Sequence, residues 1–451
     1  MIKIAHLSDT HIGYEAYKAT NTEGENQRSV DFAKSFALVV DDIISQDPDI
    51  VIHAGDVADR THIPIRLMLF IRQQFQKLAA VRENGTRRQL IVVAGNHEIP
   101  RNKREACFLE MYKGLPGVHI VSRDYEIIKF NKENIFADKY PKILENLAVH
   151  CLPHEALRFV NFDEVQPIKS MKNILVSHGV AGGSELYLRS LGREYAIPTN
   201  VLARNWDYGA LGHWHKQGPI SILSAHGSKV STITKEKQKG ILKNSDRDEN
   251  GFTNGVDYLK PSSDDTGKIW YSGSTENSGF GDLMDNGTKR GWLKVTLPKY
   301  TDVKVERRYL PIRAIFRLDD LDATNLSPDQ ITESLISNLK SSNSFGAVIG
   351  QIVKNVSTEL WSLVDVNKVR RHASQALHYE LTVNFETLSK SSGVSISTDS
   401  KMEDIINYSA QNLIPEDQRA EAIRTSLEIV NSVFEKNYNE TLPLYEEGET
   451  N

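Results

Sequence analysis

An α/β fold is what the sequence predicts, and two observations predict it. Short apolar runs, each closing on a small residue followed by a polar one, alternate with longer stretches whose apolar residues recur at helical spacing. The apolar runs are too continuous for strands wetted on one face, so they read as strands buried on both faces with loops at their carboxyl ends. In chain order, "IKIAHLS" opens the first strand, "DIVIHAG" the second, "QLIVVAG" the third, and "NILVSHG" and "YGALGH" follow. Between the first three lie "RSVDFAKSFALVVDDIISQ" and "IPIRLMLFIRQQFQKLAAV", amphipathic at helical period and therefore expected to cover a sheet face.

Residues 224–268 interrupt this alternation with Ser, Lys, Asp, Asn and Gly and few apolar anchors. A stretch this long without a convincing element reads as a flexible insertion, and its basic first half reads as a solvated loop. Regular structure is expected again at "KIWYSGSTE" and through "GWLKVTL", which closes a first domain over residues 1–310. From Pro311, "AIFRLDDL", a helix near 327–340, "GAVIGQIVKNV", a helix-like "VDVNKVRRHASQAL" and "YELTVNF" read as a small α+β module over 311–387. Residues 388–401, "LSKSSGVSISTDSK" in large part, read as a linker, and residues 402–438 as a helical tail. Within the tail, Pro415 and two acids open a helix whose Ile423, Leu427, Val430 and Phe434 share one face. Such a stripe fits either the protein's own core or a partner. Residues 439–451 read as a disordered acidic end.

Composition narrows the function classes. The 451 residues are 39% hydrophobic and 25% charged, as in ordinary globular proteins, and long enough for a large core. No apolar run approaches the roughly 20 residues of a spanning helix. The opening "MIKIAHLSDTHIG" lacks the apolar core of a secretory signal, so a cytoplasmic location and no membrane contact are expected. Cys107 and Cys151 form neither a metal-type pair nor a disulfide framework, and both read as buried thiols. A net charge of −5 supplies no global attraction to nucleic acid, although a local basic patch remains open.

The chemistry collects at the strand ends: Asp9 and His11 in "SDTHIG", Asp56 in "AGDVAD", Asn96 and His97 in "GNHE", His178 in "SHG", and His213 and His215 in "GHWH". In an α/β sheet such loops gather at one edge. Oxygen and nitrogen donors without a thiolate suit manganese, iron or zinc, and exclude the cysteine cage of structural zinc. If extended, D-x-H and H-x-H each turn two ligands to one side. So many donors exceed the needs of one ion, and two ions about 3.5 to 4 Å apart, bridged by a carboxylate, is the arrangement that phosphoester hydrolysis favours. His6, His53, His119 and His150, by contrast, read as structural histidines.

In that order, "DTH", "GD", "GNHE", "SHG" and "GHWH" resemble the calcineurin-like metallophosphoesterases. The resemblance implies a four-layer sandwich of two mixed β-sheets flanked by helices. It implies one metal on Asp9, His11, Asp56 and His215, and a second on Asp56, Asn96, His178 and His213, with Asp56 bridging. His97 matches the non-ligand histidine that stabilises the transition state or protonates the leaving oxygen, and Glu98 stands where many relatives have Asp, in support of the ligands. "IAHLSDTHIG", "WDYGALGHWHKQGPI" and "IWYSGSTE" further resemble the SbcD-type nucleases of double-strand break repair.

That likeness implies a Mn²⁺-dependent nuclease acting on DNA ends or single strands, with Mg²⁺, Fe²⁺ or Zn²⁺ as other candidate metals. It also implies a DNA-binding role for the 311–387 module, an SMC-like ATPase partner at the tail, and a homodimer. Ile63 to Phe75, with Phe108, Leu109 and Tyr112, offers apolar surface for the dimer, or simply helix-on-sheet packing. Asp59 stands where some archaeal relatives have a histidine tied to exonuclease action, which makes endonuclease activity the safer expectation. A Ser/Thr protein phosphatase is the rival, because "GDVADR" places Arg60 where a phosphate-gripping arginine would sit; Thr61 in place of the expected Gly counts against it. A non-catalytic scaffold would have lost ligands, and none is lost.

Overall fold

The computed structural model describes residues 1–100, 102, 105–130, 140–182, 195–221, 231–232, 252, 257–259, 267–282, 289–299, 302–385, 410 and 418–427. The chain divides into two compact units, Met1–Glu386 and Thr387–Asn451.

Twenty strands and six α-helices are labelled here among the described residues. In chain order they are β1 (Ile2–Leu7), α1 (Gln27–Ser45), β2 (Ile50–His53), α2 (Ile65–Leu78), β3 (Gln89–Val93), β4 (Val118–Val121) and β5 (Glu126–Phe130). There follow β6 (Leu147–Leu152), β7 (Lys172–His178), β8 (Val180–Ala181), β9 (Ala196–Ile197), α3 (Thr199–Leu202), β10 (Tyr208–Gly212), β11 (Gly218–Ser221) and β12 (Ser231–Thr232). Next come β13 (Asp257–Leu259), β14 (Ile269–Tyr271), β15 (Arg290–Leu297) and β16 (Lys304–Leu310). Last are β17 (Ile315–Arg317), β18 (Leu321–Asp322), α4 (Pro328–Ser341), β19 (Val348–Val356), α5 (Thr358–Ser362), α6 (Val366–His372) and β20 (His378–Phe385).

Two seven-stranded sheets carry the first unit, ordered β13-β16-β15-β1-β2-β3-β4 and β12-β11-β14-β10-β7-β6-β5. Both are mixed. In the first, β1 to β4 pair in parallel and β15 joins β1 antiparallel. In the second, β6, β7, β10 and β14 run parallel while β5 and β11 are antiparallel.

The period of two along each strand sorts side chains between layers. Ile4, Ile50, Ile52 and Ile91 face inward and meet Val149, Ile174, Val176 and Trp270 from the other sheet. Their neighbours Ala5, Leu7, Val51 and Leu90 face outward onto α1 and α2, through Phe36, Val40, Ile71 and Phe75. On the far side, Leu175, Leu211 and Tyr271 pack under Leu157, Val165 and Trp206. The result is the predicted sandwich of two mixed sheets with helical cover outside each. The inner faces are largely apolar, with His6 bonded to Tyr208 as a buried exception, and the candidate ligands gather at the strand ends.

The first two helices form where the sequence reading places them. The Asn26 side chain accepts the Arg28 N–H at the start of α1, and Pro64 immediately precedes α2, where its missing donor costs nothing. Leu67, Ile71 and Phe75 of α2, with Leu109 and Tyr112, are buried against the first sheet, whereas Ile65 and Leu69 are exposed.

Residues 315–385 form a smaller sheet in which β19 is central, with β17 and β18 along one edge and β20 along the other, all parallel. A Ser327–Gln330 capping box starts α4, whose Ile331, Leu335 and Leu339 bury against Ile349 and Val353. Buried polar groups tie this module to α1: Arg313 donates to Asp31, and Glu276 accepts from Ser35 Oγ–H and the Arg313 N–H.

Within 224–268, β12 and β13 sit at the edges of the two sheets, and Phe252 is buried beneath the Lys34 and Arg313 cations; most of the segment lies outside the described residues. Residues 388–401 and 439–451 lie outside them too. In the second unit, residues 419–427 are helical and carry Ile423 and Leu427, while Val430 and Phe434 fall outside the described residues. Cys151 is buried as expected, but Cys107 is only half-buried, because it precedes a short 3₁₀ turn at the edge of the α2 layer. No helix among the described residues is long and apolar enough to cross a membrane.

Candidate metal centre

The strand ends of the two sheets meet at one edge of the sandwich. Asp9 and His11 follow β1, Asp56 follows β2, and Asn96 and His97 follow β3; His178 ends β7, and His213 and His215 follow β10. The expectation that D-x-H is extended is corrected here: Asp9 (φ 53°), His11 (φ 42°), Asp56 (φ 53°) and His213 (φ 96°) all have left-handed backbones. Such conformations are costly for residues with a Cβ and persist where surrounding contacts fix them. They turn the backbone back sharply, so that neighbouring donors converge through backbone curl and not through strand alternation.

Two donor clusters result. In the first, His11 Nε2 and His215 Nε2 lie 3.1 Å apart, and each is 4.0 Å from Asp9 Oδ1. In the second, Asn96 Oδ1 lies 3.0 Å from both His178 Nε2 and His213 Nδ1, and His178 Nε2 is 3.3 Å from Asp56 Oδ2. The same Asp56 oxygen is 3.7 Å from His11 Nε2, so this carboxylate stands between the clusters. Asp9, His11 and His215, and likewise Asp9, Asp56 and His178, are close enough to share an ion. Imidazole nitrogens facing one another and a carboxylate, without sulfur, form the donor set of a borderline divalent cation, so the residues fit such a group.

The surroundings fix these atoms. His178 Nδ1–H donates to the Ala54 carbonyl (2.8 Å), which ties the second sheet to the first and leaves Nε2 for the cluster. Gly55 (φ +95°) permits this approach, since a Cβ there would lie 2.2 Å from His178 Nδ1. Gly95 is equally constrained, because its Cβ would fall 2.1 Å from Asp56 Oδ1. Glu98, fully buried, accepts the N–H groups of Asp56 (3.1 Å), Ala58 (2.8 Å) and Gly95 (2.7 Å) and so clamps the β2 and β3 loops together.

Burial disfavours charge throughout, and the contacts decide which groups keep it. Burial opposes the Asp56 charge, but His178, His11 and His97 outweigh it and hold the carboxyl well below its usual range. Burial and the Asp56 charge push Glu98 up to about 8. Burial lowers His178, yet Asp56 and Asp9 raise it further, to about 9.

His97 stands at the lip of the centre. Its N–H donates to Asp56 Oδ1 (3.0 Å), its Nδ1–H donates to the Asp59 carbonyl, and its Nε2 is 3.9 Å from Asp56 Oδ2. Burial works against its charge, but Asp56 and the Asp59 carbonyl and carboxylate leave its pKa above the ordinary histidine value. Together with Arg60, His62, Asn96 and Asn102 it lines an open cleft of about 500 Å³. Asp59 reaches toward His11 Nδ1 (3.8 Å), and Arg60, half-exposed, donates to the Gly13 carbonyl (3.2 Å).

Two residues near the centre escaped sequence reading. Asp282 accepts the His215 Nδ1–H (3.2 Å), and His154 Nδ1–H donates to the His178 carbonyl (3.2 Å). His154 follows β6 as the known ligands follow their strands, so the same strand-end signal was present in "CLPHE". Asp282 lies well past the end of β14, beyond the few residues in which that signal operates. His6, His53, His119 and His150 instead bond to Tyr208, Thr10, Gln89 and Asn173 within the sheets and beneath the site.

Residues 2–226 match the calcineurin-like phosphoesterase family model. The chain belongs to the calcineurin-like metallophosphoesterases. Among curated proteins it is similar to the DNA double-strand break repair protein Mre11 of Methanocaldococcus jannaschii, 33% identical over 29% of this chain and 32% of the relative. The Mre11 proteins of Methanococcus maripaludis and Thermoplasma acidophilum are 25% and 29% identical, each over 53% of this chain and over 61% and 58% of the relative. The chain thus spans from about a third to three-fifths of the length of these relatives.

Proposed function

We propose that this metallophosphoesterase is a manganese-dependent DNA nuclease, cutting backbone phosphodiesters internally and at ends. The observation that supports it most is the convergence of all the strand-end donors into two clusters around Asp56, beside an open cleft with His97 at its lip. Asp9, His11, Asp56 and His215 would hold one ion, and Asp56, Asn96, His178 and His213 the other. Bound divalent ions supply acidified water and offset the charge that develops on the phosphoryl oxygens. The chain's own contribution is position and proton transfer. The left-handed backbones and the Glu98 clamp hold the donors in place, and His97, fixed by the Asp59 carbonyl, gives its proton to the departing ester oxygen.

Similarity to double-strand break repair proteins supports DNA as the substrate, read through its phosphates and not its bases. The reading extends to an SMC-like ATPase as partner of the 402–438 tail, contact between the 311–387 module and DNA, a homodimer, and a cytoplasmic location. Exposed Ile65, Leu69 and Met111 provide apolar surface for the dimer. Arg60 at the cleft favours one alternative, a Ser/Thr protein phosphatase, since a guanidinium there suits a phosphate monoester.

The test is Mn²⁺-dependent hydrolysis of circular single-stranded DNA, run beside a phosphopeptide. The nuclease cuts the circle, and His97→Ala abolishes cutting while retaining metal. Phosphate release from the peptide with an intact circle would establish the phosphatase instead. Wild-type turnover by His97→Ala would remove His97 from the mechanism.

A further inference from the structure

One side of the metal centre is built from a segment that also touches the appended module. After β14 the chain runs through buried Ser272, Ser274, Thr275, Glu276 and Asn277 to Phe280 and Asp282. Asp282 Oδ1 accepts the His215 Nδ1–H (3.2 Å), and its Oδ2 accepts the Ser278 N–H (2.7 Å) and Oγ–H (2.8 Å). The Arg290 guanidinium donates to both the His215 carbonyl (3.2 Å) and the Asp282 carbonyl (3.1 Å), so backbone and side chain of this pair are fixed together. Two residues before Asp282, the Phe280 ring leaves the site and enters the 315–385 sheet. It packs on Ile315 and Val348, under the Arg317 guanidinium at 4.7 Å from the ring centre. Gly350, in the central strand β19, leaves room for it, since a Cβ there would lie 3.0 Å from the ring.

From this juxtaposition we propose that Asp282 is a positioning residue for His215 and that Phe280 transmits the pose of the 315–385 module to it, so that the module sets the affinity of one of the two metal sites. The inference rests on the reading of His215 as a ligand. A carboxylate on the far nitrogen of a metal-binding imidazole fixes ring orientation and raises basicity, and its loss typically weakens binding about 10- to 100-fold. Phe280 adds a lever because a ring seated in another sheet moves when that sheet moves, and only Gly281, within the same helical turn, separates it from Asp282.

Mn²⁺ titration of the full chain by calorimetry, with melting recorded in parallel, tests this without recourse to turnover. Wild type takes up two ions, and His215→Ala loses one. Asp282→Ala weakens that same ion about 10- to 100-fold. Phe280→Ala weakens it several-fold, and Phe280→Leu restores part of the loss. Gly350→Ala, which crowds the ring from the module side, shifts the same site and not the other, and keeps the test alive if Phe280→Ala does not fold. Should His215→Ala retain both ions, the ligand assignment fails and the lever with it. Should His215→Ala lose one ion while the Phe280 and Gly350 variants melt earlier but bind both ions as wild type does, Phe280 is a packing residue alone and the coupling is overturned.

Discussion

His178 and His215 come from adjacent loops of one sheet edge, yet they are oriented by opposite means. His178 is held by a main-chain carbonyl, Ala54, in the facing sheet. A carboxylate, Asp282, holds His215 from a segment outside either sheet's parallel core. A carbonyl at a strand end is as stiff as the sandwich itself, so the His178 side inherits the rigidity of the fold. The His215 side inherits the position of the segment that follows β14. A centre that needs both ions can therefore be assembled permanently on one side and adjusted on the other.

Removing the residue the two sides share is the most severe way to break this comparison. Asp56 lies within 3.7 Å of His11 Nε2 and 3.3 Å of His178 Nε2, and its N–H is clamped by Glu98. Asp56→Ala should empty both sites, leaving no saturable Mn²⁺ uptake in calorimetry and no cleavage. Retention of one tight ion would show that a single side is self-sufficient, and that Asp56 does not bridge.

The sequence made the His178 side legible and left the His215 side half hidden, for a physical reason. Buried parallel strands must end in polar loops, so an apolar run followed by Asp, Asn or His marks a candidate ligand wherever the side chain is within a few residues of the strand. Asp9, Asp56, Asn96, His178 and His213 all obey that rule, and the layers of the sandwich follow from the same runs. Asp282 does not. Its role comes from a fold-back over Ser278, set by hydrogen bonds among residues that any loop might contain. The extended reading of D-x-H failed similarly, because a left-handed backbone at Asp9 and His11 is stabilised by contacts to the β2 loop that no local pattern records; the His11 N–H, for instance, donates to the Asp56 carbonyl. The apolar stripe of the tail is legible only as amphipathicity, and amphipathicity names no partner.

Proton release sharpens the comparison at intermediate cost. With its pKa raised to about 9, metal-free His178 is a cation at neutral pH, held so by Asp56 and Asp9 against the effect of burial. A metal takes neutral imidazole, so binding must expel that proton. The sign follows directly: below about 9, each unit fall in pH weakens Mn²⁺ binding at the His178 side about tenfold, and above it the dependence disappears. Titrations from pH 6 to pH 9.5, in buffers of different ionisation enthalpy, count the protons. A flat affinity with no proton released would mean that His178 is neutral before the metal arrives.

The smallest effect is expected at the rim. Arg60 is half-exposed, its ion pairs with Asp59 (3.5 Å) and Glu15 (3.9 Å) are wet, and its firmest contact is the Gly13 carbonyl. Exposed pairs of this kind contribute about 0 to 1 kcal/mol, so Arg60→Ala should leave the melting temperature almost unchanged and both ions bound. What it should change is the hold on substrate, since its guanidinium borders the same cleft as His97. A DNA backbone offers many phosphates along the groove, and losing one contact among several should raise KM a few-fold, with a shallower salt dependence and little effect on kcat. A phosphopeptide offers only one phosphate. Were Arg60→Ala to abolish turnover on DNA altogether, the rim would be doing what the metal floor was assigned to do, and the division between a rigid centre and a permissive edge would have to be drawn elsewhere.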